Sequence, residues 1–246
     1  MTKTFNKKRR LLKIFILVLA ILTVLPFSTY LISYQPQADS QLAYEDAEEF
    51  NQHYGFIQND ATVGVIYYPG GLVHPKAYAR FAKALSMSTQ YSVFVTSPLF
   101  HLAITQISLA DQVMSQHPSI DTWLIGGHSL GGSSAAFYTF EHVDKITGLF
   151  LLASYTTEQA DFSSSNVSVI SIVGSEDLVL NQSTYIAHQP YLPANHVEVI
   201  IEGGNHSQFA DYGPQRGDGV AFIDGLEQEA LVVTALTTWF DQLILK

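Results

Sequence analysis

The stretch Gly127-His128-Ser129-Leu130-Gly131 holds the residues best suited to chemistry, because its serine stands two positions from a glycine on either side. This G-x-S-x-G spacing predicts a sharp turn between a strand and a helix, with Ser129 in a strained backbone conformation and its hydroxyl exposed. The glycines keep side chains out of the tight packing between strand and helix. A hydroxyl presented in this way could attack an acyl carbon. The alternative is a glycine-rich turn with an incidental serine.

A serine hydroxyl is a poor nucleophile at neutral pH, so it needs a histidine base that a carboxylate holds in place. Open parallel sheets place their sites at the edge where the strands end. The predicted strand over residues 167–173 leads into Glu176 and Asp177, of which Asp177 is the favoured acid and Glu176 the alternative. The predicted strand over residues 197–201 leads into His206, which we take as the base because it lies just beyond the last predicted strand.

The negative charge that develops on an acyl oxygen needs two fixed backbone N–H donors. Leu130 is the first expected donor, because it follows the serine at the predicted start of a helix. The second should come from the loop Pro69-Gly70-Gly71, where glycine permits close approach of the backbone. Gly71 is favoured and Leu72 is the fallback, while the alternative for this loop is a plain turn. His128 is predicted to shape the site and not to act as the base.

Strand-like and helix-like patterns alternate along the rest of the chain. Apolar positions on the last predicted helix fall on one stripe, formed by Leu231, Ala235, Trp239 and Leu243. The alternation predicts an α/β fold with a mostly parallel, doubly wound sheet flanked by helices. The predicted strands are 54–57 (a first edge strand), 62–68, 91–96, 122–125, 146–153, 167–173 and 197–201, and the predicted helices are 75–86, 103–116, 133–140 and 226–245.

Composition bounds the class of protein. The 246 residues are 47% hydrophobic, which is enough for one domain with a full core. There is no cysteine, so disulfides, thiolate zinc sites and cysteine nucleophiles are excluded. Beyond residue 13, six basic residues stand against 22 acidic ones, a net charge of −16 that disfavours nucleic acid as a partner. The predicted chemistry needs no metal or cofactor.

The N-terminus carries a separate signal. Residues 1–13 hold six basic residues and no acidic one, and the next 19 residues, 14–32, are uncharged. As a helix, such a segment spans roughly 28 Å, close to the hydrocarbon thickness of a bilayer. We predict a single-pass cell-membrane anchor with residues 1–13 in the cytoplasm and the body outside it; the alternative is secretion after signal-peptide cleavage. Residues 33–50 are predicted to form a tether and residues 51–246 the folded domain.

Five motifs belong together: YPGG at 68–71, HPKAY at 74–78, GGHSLGG at 126–132, EGGNHSQF at 202–209 and DYGP at 211–214. As a set, they resemble a bacterial serine-esterase-like or dienelactone-hydrolase-like branch of the α/β-hydrolase superfamily, over about residues 60–240. The resemblance implies an α/β-hydrolase fold and hydrolysis of a small-molecule ester through a Ser-Asp-His triad and an acyl-enzyme intermediate. Dienelactone hydrolases proper carry a cysteine nucleophile, which this chain lacks. Acyl transfer by the same triad, or a non-catalytic membrane-tethered binding module, are the alternatives.

In this superfamily, lids and caps are usually inserted after the strand that follows the elbow helix. Here only residues 154–166 separate two predicted strands, too few for a cap domain. The pocket is therefore predicted to be shallow or shaped by small loops, including residues 211–219. Candidate lining residues, each with a packing or turn role as the alternative, are Leu72, Tyr155, Asn205, Gln208 and Tyr212.

Overall fold

The computed structural model describes residues 13–14 and 32–244. The chain divides into two units, residues 1–33 and 34–246, and every strand of the sheet belongs to the second. The predicted cytoplasmic segment and membrane span lie almost wholly outside the described residues. Within the described residues, no helix is both long enough and apolar enough to cross a membrane.

A single sheet of eight strands, counted over the described residues, forms the centre of the second unit in the spatial order β1-β2-β4-β3-β5-β6-β7-β8. The first two strands pair antiparallel, and β3 to β8 are all parallel to one another. The predicted, mostly parallel sheet is confirmed. The strands are β1 (Glu48–Phe50), β2 (His53–Phe56), β3 (Val63–Tyr68), β4 (Ser92–Thr96), β5 (Thr122–His128), β6 (Gly148–Leu152), β7 (Ser168–Gly174) and β8 (Val197–Ile201).

Helices pack on both faces of this sheet, so the doubly wound arrangement is also confirmed. Alternate residues of each central strand point to opposite faces, and β3 shows this clearly: Val65 joins the core under α2 and α6, whereas Ile66 joins the core under α3 and α4. The helices are α1 (Ala38–Tyr44), α2 (Ala79–Thr89), α3 (Leu109–Gln116), α4 (Leu130–Glu141), α5 (Gln182–His188) and α6 (Gly225–Ile244), and single 3₁₀ turns at Pro75–Tyr78 and Ala103–Thr105 precede α2 and α3.

The segment predicted to be a tether is structured from residue 34 onward and supplies α1 and β1. The Ser40 N–H donates to Asp211 Oδ2 at 2.9 Å and the Ser40 hydroxyl to the Ala77 carbonyl at 3.1 Å. β1 pairs with β2, so β2 is not the edge strand that the sequence predicts. The contacts that order this segment come from residues distant in the sequence. Its local composition is polar and therefore resembles that of a linker, although the segment is folded.

The buried face of α6 includes most of the predicted stripe: Trp239 is buried, and Ala235 and Leu243 are partly buried against the core. Leu231 departs from the prediction, because it is 44% exposed. The buried face also includes a second set with the same helical spacing, formed by Val232, Leu236 and Phe240. The buried face also takes in Gln228, whose side-chain amide bonds both the N–H and the carbonyl of Asn205, each at 2.9 Å.

The connection between β6 and β7 contains no cap domain, as the sequence predicts. Residues 153–167 contain only one 3₁₀ turn, Glu158–Ala160. Residues 153–167 therefore place no inserted domain over the carboxyl ends of the strands.

Candidate active site

Ser129 lies in the tight turn between β5 and α4, with φ 53° and ψ −123°. A non-glycine residue holds such a conformation only where its surroundings impose it. Here the Ser129 N–H donates to the Leu152 carbonyl at 2.9 Å, and the Ser129 carbonyl accepts from the Gly132 N–H at 3.0 Å and from the Ser154 hydroxyl at 2.7 Å. Bonds to the next strand and to the following helix thus fix the turn from both sides.

The two glycines of the motif are required by close backbone packing against β3. A Cβ built on Gly127 would lie 2.3 Å from the carbonyl oxygen of Tyr68, and one built on Gly131 would lie 2.1 Å from the same atom. Real Cβ atoms do not approach this closely. Strand β3 and the start of α4 can therefore meet only where both positions lack a side chain.

Asp177 and His206 form a buried pair at the ends of β7 and β8. Asp177 Oδ2 lies 2.8 Å from His206 Nδ1, and the two side chains are 0% and 3% exposed. The other carboxylate oxygen, Oδ1, accepts the N–H groups of Val179 at 2.9 Å and Leu180 at 2.8 Å. The alternative acid, Glu176, is half-buried and meets the Ser175 hydroxyl instead. The structure thus brings Asp177, and not Glu176, to the predicted base.

Ser129 and His206 face a common cavity of about 270 Å³ at the carboxyl edge of the sheet. Asp177 lies behind His206, so the three predicted triad residues come together although they are distant in sequence. Tyr155 also lines the cavity, as predicted. Its other lining residues are Leu130, Ser133, Ala153, Ser154, Val179, Leu180 and Asn181.

Sequence reasoning missed most of these lining residues. Ala153 and Ser154 come directly after β6, and Val179, Leu180 and Asn181 lie in the loop after β7. In a parallel sheet such positions lie at the edge that carries the site, so the topology alone would have pointed to them.

Asn205 and Gln208 line a separate cavity of about 760 Å³ that does not include Ser129. Neither cavity has Leu72 or Tyr212 in its lining; the Tyr212 ring packs 5.0 Å from the Tyr34 ring.

The loop that carries His206 is held by a residue that sequence reasoning also missed. The carboxylate of Asp218 accepts the N–H groups of His206 at 3.3 Å, Ser207 at 2.8 Å and Gly219 at 2.9 Å. Asn205 stiffens the same loop, because its side-chain oxygen accepts the Gln208 N–H at 3.1 Å. Asn205 therefore supports the base loop instead of contacting the serine cavity.

Two backbone N–H groups are available beside Ser129. Within the described residues, the N–H groups of Leu130 and Gly71 have no hydrogen-bond partner. A Cβ on Gly71 would lie 3.1 Å from Leu130 Cδ2, which shows that this loop touches the start of α4. Leu72, the fallback donor, already uses its N–H group in a hydrogen bond to the His101 carbonyl at 2.8 Å. The arrangement favours Gly71 over Leu72 as the second donor.

His128 is buried against the site, with its ring centroid 4.5 Å from that of His206. Burial, together with the nearby His206 ring, holds the pKa of His128 well below its usual range, although a contact with the backbone of His206 acts in the opposite direction. His128 is therefore neutral at physiological pH.

No group of three or more His, Asp or Glu side chains in the described part of the chain is placed to hold a metal ion.

Residues 64–230 match the alpha/beta hydrolase family. The chain belongs to this family. The match covers more than half of the chain and includes every predicted triad residue. The resemblance inferred from the motifs is thus confirmed at the level of the superfamily.

Solved structures share this fold at low sequence identity. Est1E from Butyrivibrio proteoclasticus, with ferulic acid bound, is 13% identical with a TM-score of 0.59, covering 79% of this chain and 95% of its own. A hyperthermophilic esterase from the archaeon Pyrobaculum calidifontis is 13% identical with a TM-score of 0.57, covering 76% and 79%. A membrane phospholipase A described as a bacterial virulence factor is 13% identical with a TM-score of 0.56, covering 97% and 99%. A search of curated protein sequences found no match.

Proposed function

We propose that this alpha/beta hydrolase cleaves an ester-type acyl bond through Ser129, Asp177 and His206. The observation that carries the proposal is the buried 2.8 Å Asp177–His206 pair, with His206 facing the same cavity as the strained Ser129. Solved structures with the same fold include proteins described as esterases and a phospholipase, which favours ester substrates.

The mechanism follows from the donors and acceptors in place. Asp177 accepts the Nδ1–H of His206, so Nε2 is left unprotonated and can take the hydroxyl proton of Ser129 as Oγ attacks the acyl carbon. The N–H groups of Leu130 and Gly71 stabilise the oxyanion. His206 then gives its proton to the leaving alcohol, and water attacks the acyl-enzyme in a second step with the same base.

The proposal is tested with a fluorophosphonate probe, which reacts with activated serine hydroxyls. We expect labelling of the wild-type chain and none of Ser129→Ala. Ser134→Ala is the matched control, because Ser134 lies one turn further along α4 and its hydroxyl is bound to the Leu130 carbonyl at 2.7 Å. Labelling should persist in this variant. A correctly folded wild-type protein that stays unlabelled would rule out the proposed acyl-enzyme.

We also propose that residues 14–32 anchor the enzyme in the cell membrane with the catalytic unit outside the cytoplasm. The support is the uncharged 14–32 segment behind six basic residues. A membrane-impermeant fluorophosphonate should label Ser129 on intact cells, with the labelled protein in the membrane fraction. Label recovered only in the medium would favour the cleaved, secreted form, and label seen only after lysis would contradict both.

The small serine cavity predicts a preference for short acyl groups. At about 270 Å³ it lies below the roughly 300–1,000 Å³ of typical ligand pockets, and residues 153–167 add no lid. A fragment beginning near residue 34 should therefore hydrolyse nitrophenyl esters of about C2–C6 acyl length fastest, without detergent. The rate should show no jump when substrate exceeds its solubility limit. A clear preference for emulsified long-chain lipid would contradict the prediction.

A further inference from the structure

The hydroxyl of Tyr78 lies between two buried groups that flank the proposed catalytic machinery. The Gly70 N–H donates to it at 2.8 Å, and His128 Nδ1 lies 2.9 Å from it. Tyr78 is 0% exposed and His128 1% exposed. Because the hydroxyl accepts from Gly70, it is free to donate its own proton to Nδ1, and we assign the His128 proton to Nε2, which is buried without a hydrogen-bond partner within the described residues.

The protonation states of Tyr78 and His128, hereafter the Tyr78–His128 pair, agree with donation from the phenol to the imidazole. Burial raises the pKa of Tyr78 well above its usual value, so the phenol keeps its proton at neutral pH. His128 stays neutral beside His206, as its lowered pKa requires. When His206 takes up the serine proton, only one of the two adjacent rings therefore becomes charged.

The Tyr78–His128 pair contacts all three segments that form the site: the loop after β3, the turn that carries Ser129 and the loop that carries His206. Gly70 precedes Gly71, the proposed oxyanion donor, and His128 precedes Ser129. A Cβ on Gly70 would lie 2.9 Å from both His128 Nδ1 and the Tyr78 hydroxyl, so the loop packs directly on the pair. On its other side, the His128 ring contacts the ring of His206. A shift of the Tyr78 hydroxyl would therefore move the oxyanion loop relative to the nucleophile.

We propose that Tyr78 and His128 are positioning residues that hold the Gly71 N–H at the oxyanion and keep the loop after β3 in register with Ser129. This inference rests on the proposed function. Neither side chain is placed to touch the reacting atoms; both act through the backbone of the loop and of the turn. A displacement of about 1 Å at a catalytic group can cost about a hundredfold in rate, so a small shift of this loop is sufficient.

The test is Tyr78→Phe in the full chain, with Tyr67→Phe as the matched control. Tyr67 is equally buried, its ring lies 5.0 Å from that of Tyr78, and its hydroxyl has no hydrogen-bond partner within the described residues. Tyr78→Phe should lower kcat about 10- to 100-fold with KM nearly unchanged. Affinity for an alkyl boronic acid, which mimics the tetrahedral state, should fall by the same factor. Tyr67→Phe should match the wild type in all three measurements.

A spectroscopic readout separates positioning from a general loss of structure. In ¹⁵N-histidine NMR spectra, the His128 signals are identified by their disappearance in His128→Asn. They should show a protonated Nε2 and a hydrogen-bonded, unprotonated Nδ1 in the wild type. The Nδ1 resonance should move in Tyr78→Phe and stay in place in Tyr67→Phe.

Other outcomes overturn the inference in distinguishable ways. Full activity of Tyr78→Phe in an active wild-type background, or equal losses in both phenylalanine variants, would overturn the positioning role alone. A wild-type chain that neither hydrolyses esters nor binds the boronic acid would overturn the proposed function and this inference with it.

Discussion

Replacing Asp177 with asparagine should lower kcat for ester hydrolysis by about four orders of magnitude while the fold is retained. Asp177 Oδ1 accepts two backbone N–H groups, from Val179 and Leu180, so an asparagine side chain would keep its carbonyl oxygen at that position. Its NH₂ group would then face His206 Nδ1. That nitrogen would have to accept, which moves the ring proton to Nε2 and leaves no base for the serine proton.

The matched control is Glu176→Gln, which removes the neighbouring charge without touching the histidine. Glu176 is half-buried and meets only the Ser175 hydroxyl among the side-chain contacts of the described residues. Its replacement should leave kcat nearly unchanged. Steady-state measurements of kcat on both variants, with thermal unfolding to verify the fold, decide whether Asp177 or Glu176 is the catalytic acid. Equal activity of the two variants would contradict the role given to Asp177.

Replacing Gly131 with alanine should both destabilise the protein and remove most of its activity. The new Cβ would lie 2.1 Å from the Tyr68 carbonyl and 2.5 Å from the Pro69 carbonyl, and backbone atoms cannot yield as a flexible side chain can. Overpacking of this kind costs typically about 1–3 kcal/mol in the free energy of unfolding. The start of α4 must also move, which takes the Leu130 N–H away from the oxyanion, and loss of such a donor costs about 10²–10³ in kcat.

Gly225→Ala is the control for this substitution, because Gly225 is also near a helix N-terminus. A Cβ there would meet nothing closer than Gln208 Cγ at 3.9 Å, so stability should be unchanged or slightly raised. Thermal unfolding and ester hydrolysis measured on both variants check the prediction. A Gly131→Ala protein with wild-type melting temperature and activity would show that β3 and α4 are less closely packed than described.

Much of the fold follows from local patterns. Strands such as β3 are continuous apolar runs, which is typical of parallel strands buried on both faces, and their alternation with helical patterns predicts the doubly wound sheet. Local patterns failed where an element depends on distant partners. β1 is short and polar and is a strand only because β2 pairs with it, and α1 is held through Ser40 by Asp211, 171 residues away.

The sequence by itself singled out Ser129 as the candidate nucleophile and His206 as the candidate base, because the proposed mechanism restricts residue types and a parallel sheet restricts where they can lie. Only the tertiary structure decided between Asp177 and Glu176, since the N–H groups of Val179 and Leu180 orient one carboxylate toward His206 and leave the other beside solvent. The exact set of residues that line the cavity, beyond the predicted Tyr155, and the Tyr78–His128 contact likewise came only from the structure. Both depend on the distance between side chains from different strand ends, and no local pattern of residues encodes that distance.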